Sequence, residues 1–295
     1  MSNLLLYSIP LFIIAMVVEG HWLKRHPAAL GYEKRDATAS ITMGLFNVIL
    51  SGLLKLVPIP LFVWLYDHRI VDIGSAWWTW IVLVFAEDLC YYWFHRVHHE
   101  VRVLWGCHVN HHSSRYFNLS TALRQPLLTP ITGPMFWAPL LLIGFRPEAV
   151  LLAQAVSLLY QFWIHTELVD RLGPLEWFMN TPSHHRVHHG KNLAYLDKNH
   201  GGIFIVWDRL FGSFAPEAER VVYGLTKDIE TFNLISISFH ELAAIGRDVQ
   251  RAPTLAAKVG YVLAPPGWSH DGSTLTATQL QRAARRSPPA PPPTS

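Results

Sequence analysis

Charge is scarce in this chain: Asp, Glu, Lys and Arg make up only 15% of 295 residues, and the formal net charge is +3. Such a balance excludes a nucleic-acid-binding surface, because no basic run interleaved with aromatics is present either. Cysteine is scarcer still, with Cys90 and Cys107 alone, so neither a disulfide framework nor a thiolate metal site is expected. No phosphate-binding glycine loop occurs. What abounds is apolar: 51% of the residues are hydrophobic and mean hydropathy is positive, well beyond an ordinary soluble domain.

The apolar residues gather in runs, Leu4 to Val18, Ile41 to Tyr66, Ala76 to Phe94, Leu127 to Ile143 and Ala149 to Ile164. A bilayer core takes about 20 residues of helix, so the fold class expected is all-α, a multi-pass integral membrane protein. The first run lacks a basic segment before it and a small-residue cleavage site after it, while Glu19, Lys24 and Arg25 follow; it reads as an anchor rather than a cleaved signal. Residues 1–75 form N-terminal membrane helices in this reading, 76–215 a catalytic core, 216–281 peripheral helices and 282–295 a disordered, proline-rich tail. Ile229 to Gly246 has the periodicity of a helix lying on a membrane surface.

Basic residues in short loops mark the cytoplasmic side. Lys24, Arg25, Lys34 and Arg35 place the first loop inside, and the link holding Asp67, Arg69 and Asp72 falls outside. The third run then returns inward to Arg96 and Arg102. Runs four and five, joined by Gly144-Phe145-Arg146-Pro147, make a hairpin beginning and ending inside. Pro126, Pro130, Pro134 and Pro139 interrupt its first arm, which leaves open whether the hairpin crosses fully.

Three histidine words follow that parity: His95-Arg-Val-His98-His99, His108-Val-Asn-His111-His112 and His184-His185-Arg-Val-His188-His189. Residues three and four apart share a helix face, so imidazoles at this spacing converge on an ion, and imidazole suits zinc, copper, iron or nickel. All three words fall at inner helix ends and can meet in one helical cap on the cytoplasmic face. The expected ligands are His95 and His99, the triplets His108, His111, His112 and His185, His188, His189, and the isolated His165 at the same depth. His98 and His184 complete the pattern visually but lie outside the chelating sets.

Asp88, seven residues before His95, is expected to accept a ring N–H from a ligand histidine. Glu87 points about 100° away and is the weaker candidate. Gln161, one turn before His165, is expected to support the site or a bound water. Nine imidazoles exceed the four ligands of one structural ion, which implies two metals.

The spacing His95-x3-His99, His108-x2-His111-His112 and His185-x2-His188-His189 resembles the eight-histidine signature of the fatty acid hydroxylase and sterol desaturase superfamily. Residues 91–96, 111–125, 161–167, 180–190, 197–202 and 207–212 look like its alkylglycerol monooxygenase branch, and the likeness extends over about 75–235. The resemblance implies a membrane oxidoreductase with two iron ions, O2 as cosubstrate and a lipid substrate entering from the bilayer. It further implies an external electron donor, tetrahydrobiopterin in that branch, and His165 as a ninth ligand. Three departures stand out: Gln161 where relatives can have a further histidine, Arg115-Tyr116 where the branch has two acidic residues, and His200 where it has tyrosine. The competing reading is a histidine-lined metal transporter or sensor. Transport favours ligands near the bilayer midplane, whereas these sit at helix ends.

Overall fold

The computed structural model describes residues 2–54 and 57–286. Among them there is no strand, only two isolated bridges, Met179 to Phe204 and Gly190 to Tyr223. The helices are α1 (Ser2–Leu23), α2 (Lys34–Leu54), α3 (Pro58–Asp67), α4 (Trp77–Glu100), α5 (Arg102–His112), α6 (Thr129–Thr132), α7 (Pro134–Leu142), α8 (Pro147–Trp163), α9 (Pro182–His188), α10 (Val206–Phe211), α11 (Leu234–Arg251), α12 (Leu255–Leu263) and α13 (Ala277–Arg286).

Two stretches, Leu4–Leu23 in α1 and all of α2, are long and apolar enough to cross a membrane. Their apolar side chains face outward, with Leu11, Ile14 and Val17 on α1 and Leu45, Ile49 and Leu53 on α2 all exposed. A helix at the core of a soluble protein buries such residues; an apolar surface of this extent marks contact with lipid or protein.

The run from Ile41 to Tyr66 is two helices rather than the single long one its hydropathy predicts. Pro58 and Pro60 explain the break, since proline fits the first turn of a helix but removes a hydrogen bond and clashes in its interior. The fourth run divides similarly at Gly133-Pro134. Helix α7 has 9 residues, about 14 Å at 1.5 Å per residue, too short for a hydrocarbon core of about 30 Å.

The short α3 and α7 pack side by side instead. Ile70 N–H donates to the Leu142 carbonyl at 2.7 Å, and Phe62, Leu83, Phe94, Trp137, Leu141 and Val150 form the core between α3, α4, α7 and α8. The return turn needs Gly144 at φ +93°, because a Cβ there would overlap the Val71 carbonyl oxygen.

Helix α4 runs unbroken from its apolar half through His95, His98 and His99 to Glu100, so the first histidine word is a rigid extension of that helix. Helix α11 starts at Leu234, where the Asn233 side chain caps Ser236 N–H, five residues later than the periodicity from Ile229 suggests, and packs against α5 and α12. Helix α13 includes 282–286, part of the segment read as a disordered tail; the rest of that tail lies outside the described residues.

Candidate metal centre

Nine buried histidines converge in two groups. His95, His99, His108, His112 and His188 form one; His111, His165, His185 and His189 form the other; within each, one ring nitrogen per residue lies within 4.8 Å of all the rest. In the first group the rings of His95, His108, His112 and His188 make a loop with successive centroids 4.9, 5.1, 4.7 and 4.3 Å apart. The His99 ring stands 4.7–5.3 Å from all four. In the second group the Nε2 atoms of His185 lie 2.9 Å from His165 and 3.2 Å from His189, and those of His165 and His111 are 3.3 Å apart.

Two nitrogens bound at right angles to one ion, each about 2.1 Å from it, stand about 3 Å apart, so these separations fit a transition metal ion. The Nε2 atoms of His99, His112 and His188 are buried without a hydrogen-bond partner, as donors to an ion must be.

The grouping follows a rule the spacing alone did not disclose. In each word the i, i+4 pair serves one group: His95 with His99, His108 with His112, and His185 with His189. The i+3 residue of the latter two words goes to the opposite group, His111 to the second and His188 to the first. The expectation of two intact triplets is therefore corrected. Neighbouring helical residues diverge by about 100°, which turns His111 away from His112 and His188 away from His189. The groups meet along a seam where the His112 and His189 rings stack with centroids 4.4 Å apart.

Backbone carbonyls orient the rings. The Nδ1 atoms of His95, His165 and His188 donate to the carbonyls of His200 (2.8 Å), Gln161 (2.7 Å) and Lys198 (2.9 Å), and that of His111 to Arg124 (3.3 Å). Such partners fix the tautomer and aim Nε2 at the ion. Sequence reasoning missed them because a carbonyl acceptor leaves no residue-type signal.

Asp88 accordingly has a different task from the one expected. It is fully buried and accepts from Ile203 N–H at 2.6 Å, Phe204 N–H at 3.0 Å and Trp207 Nε1–H at 3.0 Å. No ligand ring reaches it. It clamps the segment whose His200 carbonyl holds His95, and Gly202 makes this approach possible, since a Cβ there would lie 2.7 Å from Asp88 Oδ1. The Gln161 side chain donates to Ser157 Oγ at 3.0 Å; the residue's backbone carbonyl, rather than its side-chain amide, supports His165. Glu87 accepts from Trp137 Nε1–H at 3.2 Å.

His98 belongs to neither group: Nδ1 donates to the Phe94 carbonyl at 2.7 Å and Nε2 lies 2.9 Å from Thr132 Oγ1. His184 also stays outside, its ring against Phe214.

Two buried polar networks tie the N-terminal helices to the histidines. Glu19 on α1 accepts from Leu119 N–H, Tyr32 and Thr166 Oγ1, the last adjacent to His165. Arg124, only 2% exposed, bonds Asp36 on α2 at 2.8 Å, Ser40 Oγ at 3.1 Å and Ser113 Oγ at 2.9 Å, while its carbonyl receives His111. Breaking a buried pair strands a charge, at a cost of about 3–5 kcal/mol. Asp36→Ala should lower the unfolding midpoint accordingly and loosen metal at the second group first. An unchanged midpoint in a detergent-solubilised thermal melt would refute that role.

A cleft of about 310 Å³ leads from α2 and α3 between α4, α7 and α8 to the histidines. Phe62, Phe94, Trp137 and Leu158 line its apolar walls, Asn47, Ser51 and Gln154 supply polar points, and His108, His111 and His165 close its end.

A buried histidine centre at the end of an apolar cleft, carried on helices with apolar outer faces, defines the class: a membrane-associated protein whose clustered histidines are placed to hold metal. The fatty acid hydroxylase family model matches residues 80–213, which contain all nine converging histidines and both ends of the Asp88 clamp. Alkylglycerol monooxygenase of Homo sapiens is 40% identical over 264 residues, 89% of this chain and 58% of that protein. An ornithine lipid hydroxylase of Rhizobium tropici is 35% identical over 147 residues, 49% of this chain and 44% of the relative. Lathosterol oxidase of Mus musculus is 27% identical over 215 residues, covering 67% and 66%. No solved structure matches. Through residues 80–213 the chain belongs to the fatty acid hydroxylase superfamily. It spans about 58% of the length of the alkylglycerol monooxygenase it matches.

Proposed function

We propose that the chain is a multi-pass membrane oxidoreductase that inserts oxygen from O2 into a C–H bond of a lipid, an ether lipid of the alkylglycerol type foremost, with fatty acyl and sterol chains as the neighbouring options. His95, His99, His108, His112 and His188 would hold one iron ion and His111, His165, His185 and His189 the other. When bound, the pair of ions supplies O2 activation and the oxidising power for an unactivated C–H bond. The observation that carries this reading is that His108, His111 and His165 belong both to the metal groups and to the end wall of the cleft.

The chain's own residues divide the remaining work. Phe62, Phe94 and Trp137 take up an alkyl chain and keep water from the reacting carbon, while Asn47, Ser51 and Gln154 offer hydrogen bonds to a polar lipid group. Neutral histidines in place of carboxylates leave the centre more positively charged than the carboxylate-rich soluble di-iron bundles, in keeping with a strong oxidant. Electrons come from an external donor, with tetrahydrobiopterin the candidate offered by the alkylglycerol branch. The basic loops support a site on the cytoplasmic face. Removal of a second hydrogen would turn the same site to desaturation.

Metal analysis of anaerobically purified protein tests the reading: two irons per chain, with O2 consumption that requires lipid and a reductant, are expected. One zinc per chain with no redox response would instead favour a transporter or sensor. Comparison of lipid extracts from cells with and without the chain identifies the substrate, and an ether lipid that disappears only when the chain is present marks ether cleavage.

A further inference from the structure

Three histidines stand near the two groups without joining them, and one differs from the others. His98 has both ring nitrogens bonded inside the protein, and His184 packs away from the centre on Phe214. His200 is fully buried, and both Nδ1 and Nε2 lack any hydrogen-bond partner. Buried polar atoms are almost always satisfied by protein, water or an ion. A ring retained only for packing would be apolar.

The placement of His200 says which partner. Its centroid lies 5.0 Å from His99, within the 4.3–5.3 Å separating neighbours in the five-histidine group, and 5.6 Å from His188 and 5.7 Å from His95, just beyond it. The backbone holds it there on both sides. His200 N–H donates to Asp208 Oδ1 at 2.7 Å, Gly201 N–H to Asp208 Oδ2 at 2.7 Å, and the His200 carbonyl receives His95 Nδ1 at 2.8 Å. Asn199, at φ +57°, turns the chain so that the ring faces the metal group while its carbonyl serves His95.

We propose that His200 is a sixth nitrogen donor at the five-histidine site, which sets six imidazoles around one ion against four around the other. This rests on the two-ion reading above. The six-imidazole site is then the tighter, structurally fixed one, and the four-imidazole site keeps positions open beside the lipid.

The test titrates the metal-free full chain, in detergent, with Co(II) alone and follows its visible absorption. Wild type should take up two equivalents. His200→Phe should weaken one equivalent by about 10–100-fold, the range for perturbing a metal's immediate surroundings, and alter its spectrum while leaving the other unchanged. Metal-free His200→Phe should melt no lower than metal-free wild type, because it sheds two unsatisfied buried nitrogens. The proposal is overturned if both equivalents bind His200→Phe with wild-type affinity and spectrum, or if the metal-free variant melts lower, which would show that the ring is bonded within the protein. Failure of wild type itself to bind two equivalents would overturn the two-ion reading instead.

Discussion

His188→Ala should deplete both ions although His188 belongs to only one group. Its ring joins the five-histidine group, and its Nδ1 bond to the Lys198 carbonyl at 2.9 Å secures the end of α9, which also carries His185 and precedes His189. Loss of a direct ligand should weaken the first ion by more than about 100-fold, above the 10–100-fold typical of removing a ligand's supporting partner. Freed from its anchor, α9 should weaken the second ion by about 10-fold, within the same range. Iron per chain and O2 turnover with lipid measure both effects. His98→Ala is the control: its ring nitrogens bond Phe94 and Thr132 rather than pointing into either group, so iron content should be unchanged. A His188→Ala protein that keeps one iron at wild-type affinity would contradict the interlocked arrangement.

Acid should dismantle the metal-free protein over a narrow range. Burial first, and then the neighbouring imidazoles, hold His108, His111, His112, His185, His188 and His189 well below their ordinary pKa of 6.5. The folded state therefore keeps these rings neutral while the unfolded chain takes up protons below about pH 6.5. Stability is intact above that value and falls as pH falls, continuing until the depressed folded pKa values are reached. Six such rings act in the same direction, so the combined loss as pH falls below about 6.5 is a large fraction of the stability of a typical domain.

Bound metal needs the same neutral rings, so it should be released over the same interval. Unfolding followed by tryptophan fluorescence between pH 7.5 and 5 checks the sign: a midpoint that rose on acidification would reverse the argument. Asp208 runs the opposite way, since burial pushes its carboxyl up to about 6. Glu167 shares that sign, since burial raises its carboxyl as well; the histidines outnumber such carboxyls, so the net slope keeps its sign.

The positions of the rings were legible in the sequence because helix geometry ties residue number to direction. His95 with His99, His108 with His112, and His185 with His189 are i, i+4 pairs, and each pair converges. His165 was legible from depth: it follows the end of α8, level with the ends of the helices that carry the words. The assignment of His111 and His188 was not, because spacing shows which rings share a stripe but not which neighbouring helix that stripe faces.

The supports were hidden for another reason. Carbonyls of His200, Gln161, Lys198 and Arg124 do the orienting, and any residue type can supply a carbonyl. Asp88 was correctly singled out as a buried carboxylate needing partners, but those partners are two backbone N–H groups and the Trp207 indole, more than a hundred residues onward. Among the membrane segments, hydropathy located the apolar stretches, while Pro58 and Pro134 decided where they break.

The exchange of His111 and His188 between the groups gives the ions a mechanical part. Each ion, once bound, joins α5 to α9, elements separated in the chain by residues 113–181, and does so alongside ligands from α4 or the end of α8. Two such joints close long loops in the manner of covalent cross-links, restricting the unfolded chain as well as securing the folded one. In a protein whose two cysteines, Cys90 and Cys107, are both free, bound metal would take over the stapling that disulfides perform elsewhere. Chelation should thus loosen the entire histidine-bearing end of the bundle rather than merely silence its chemistry.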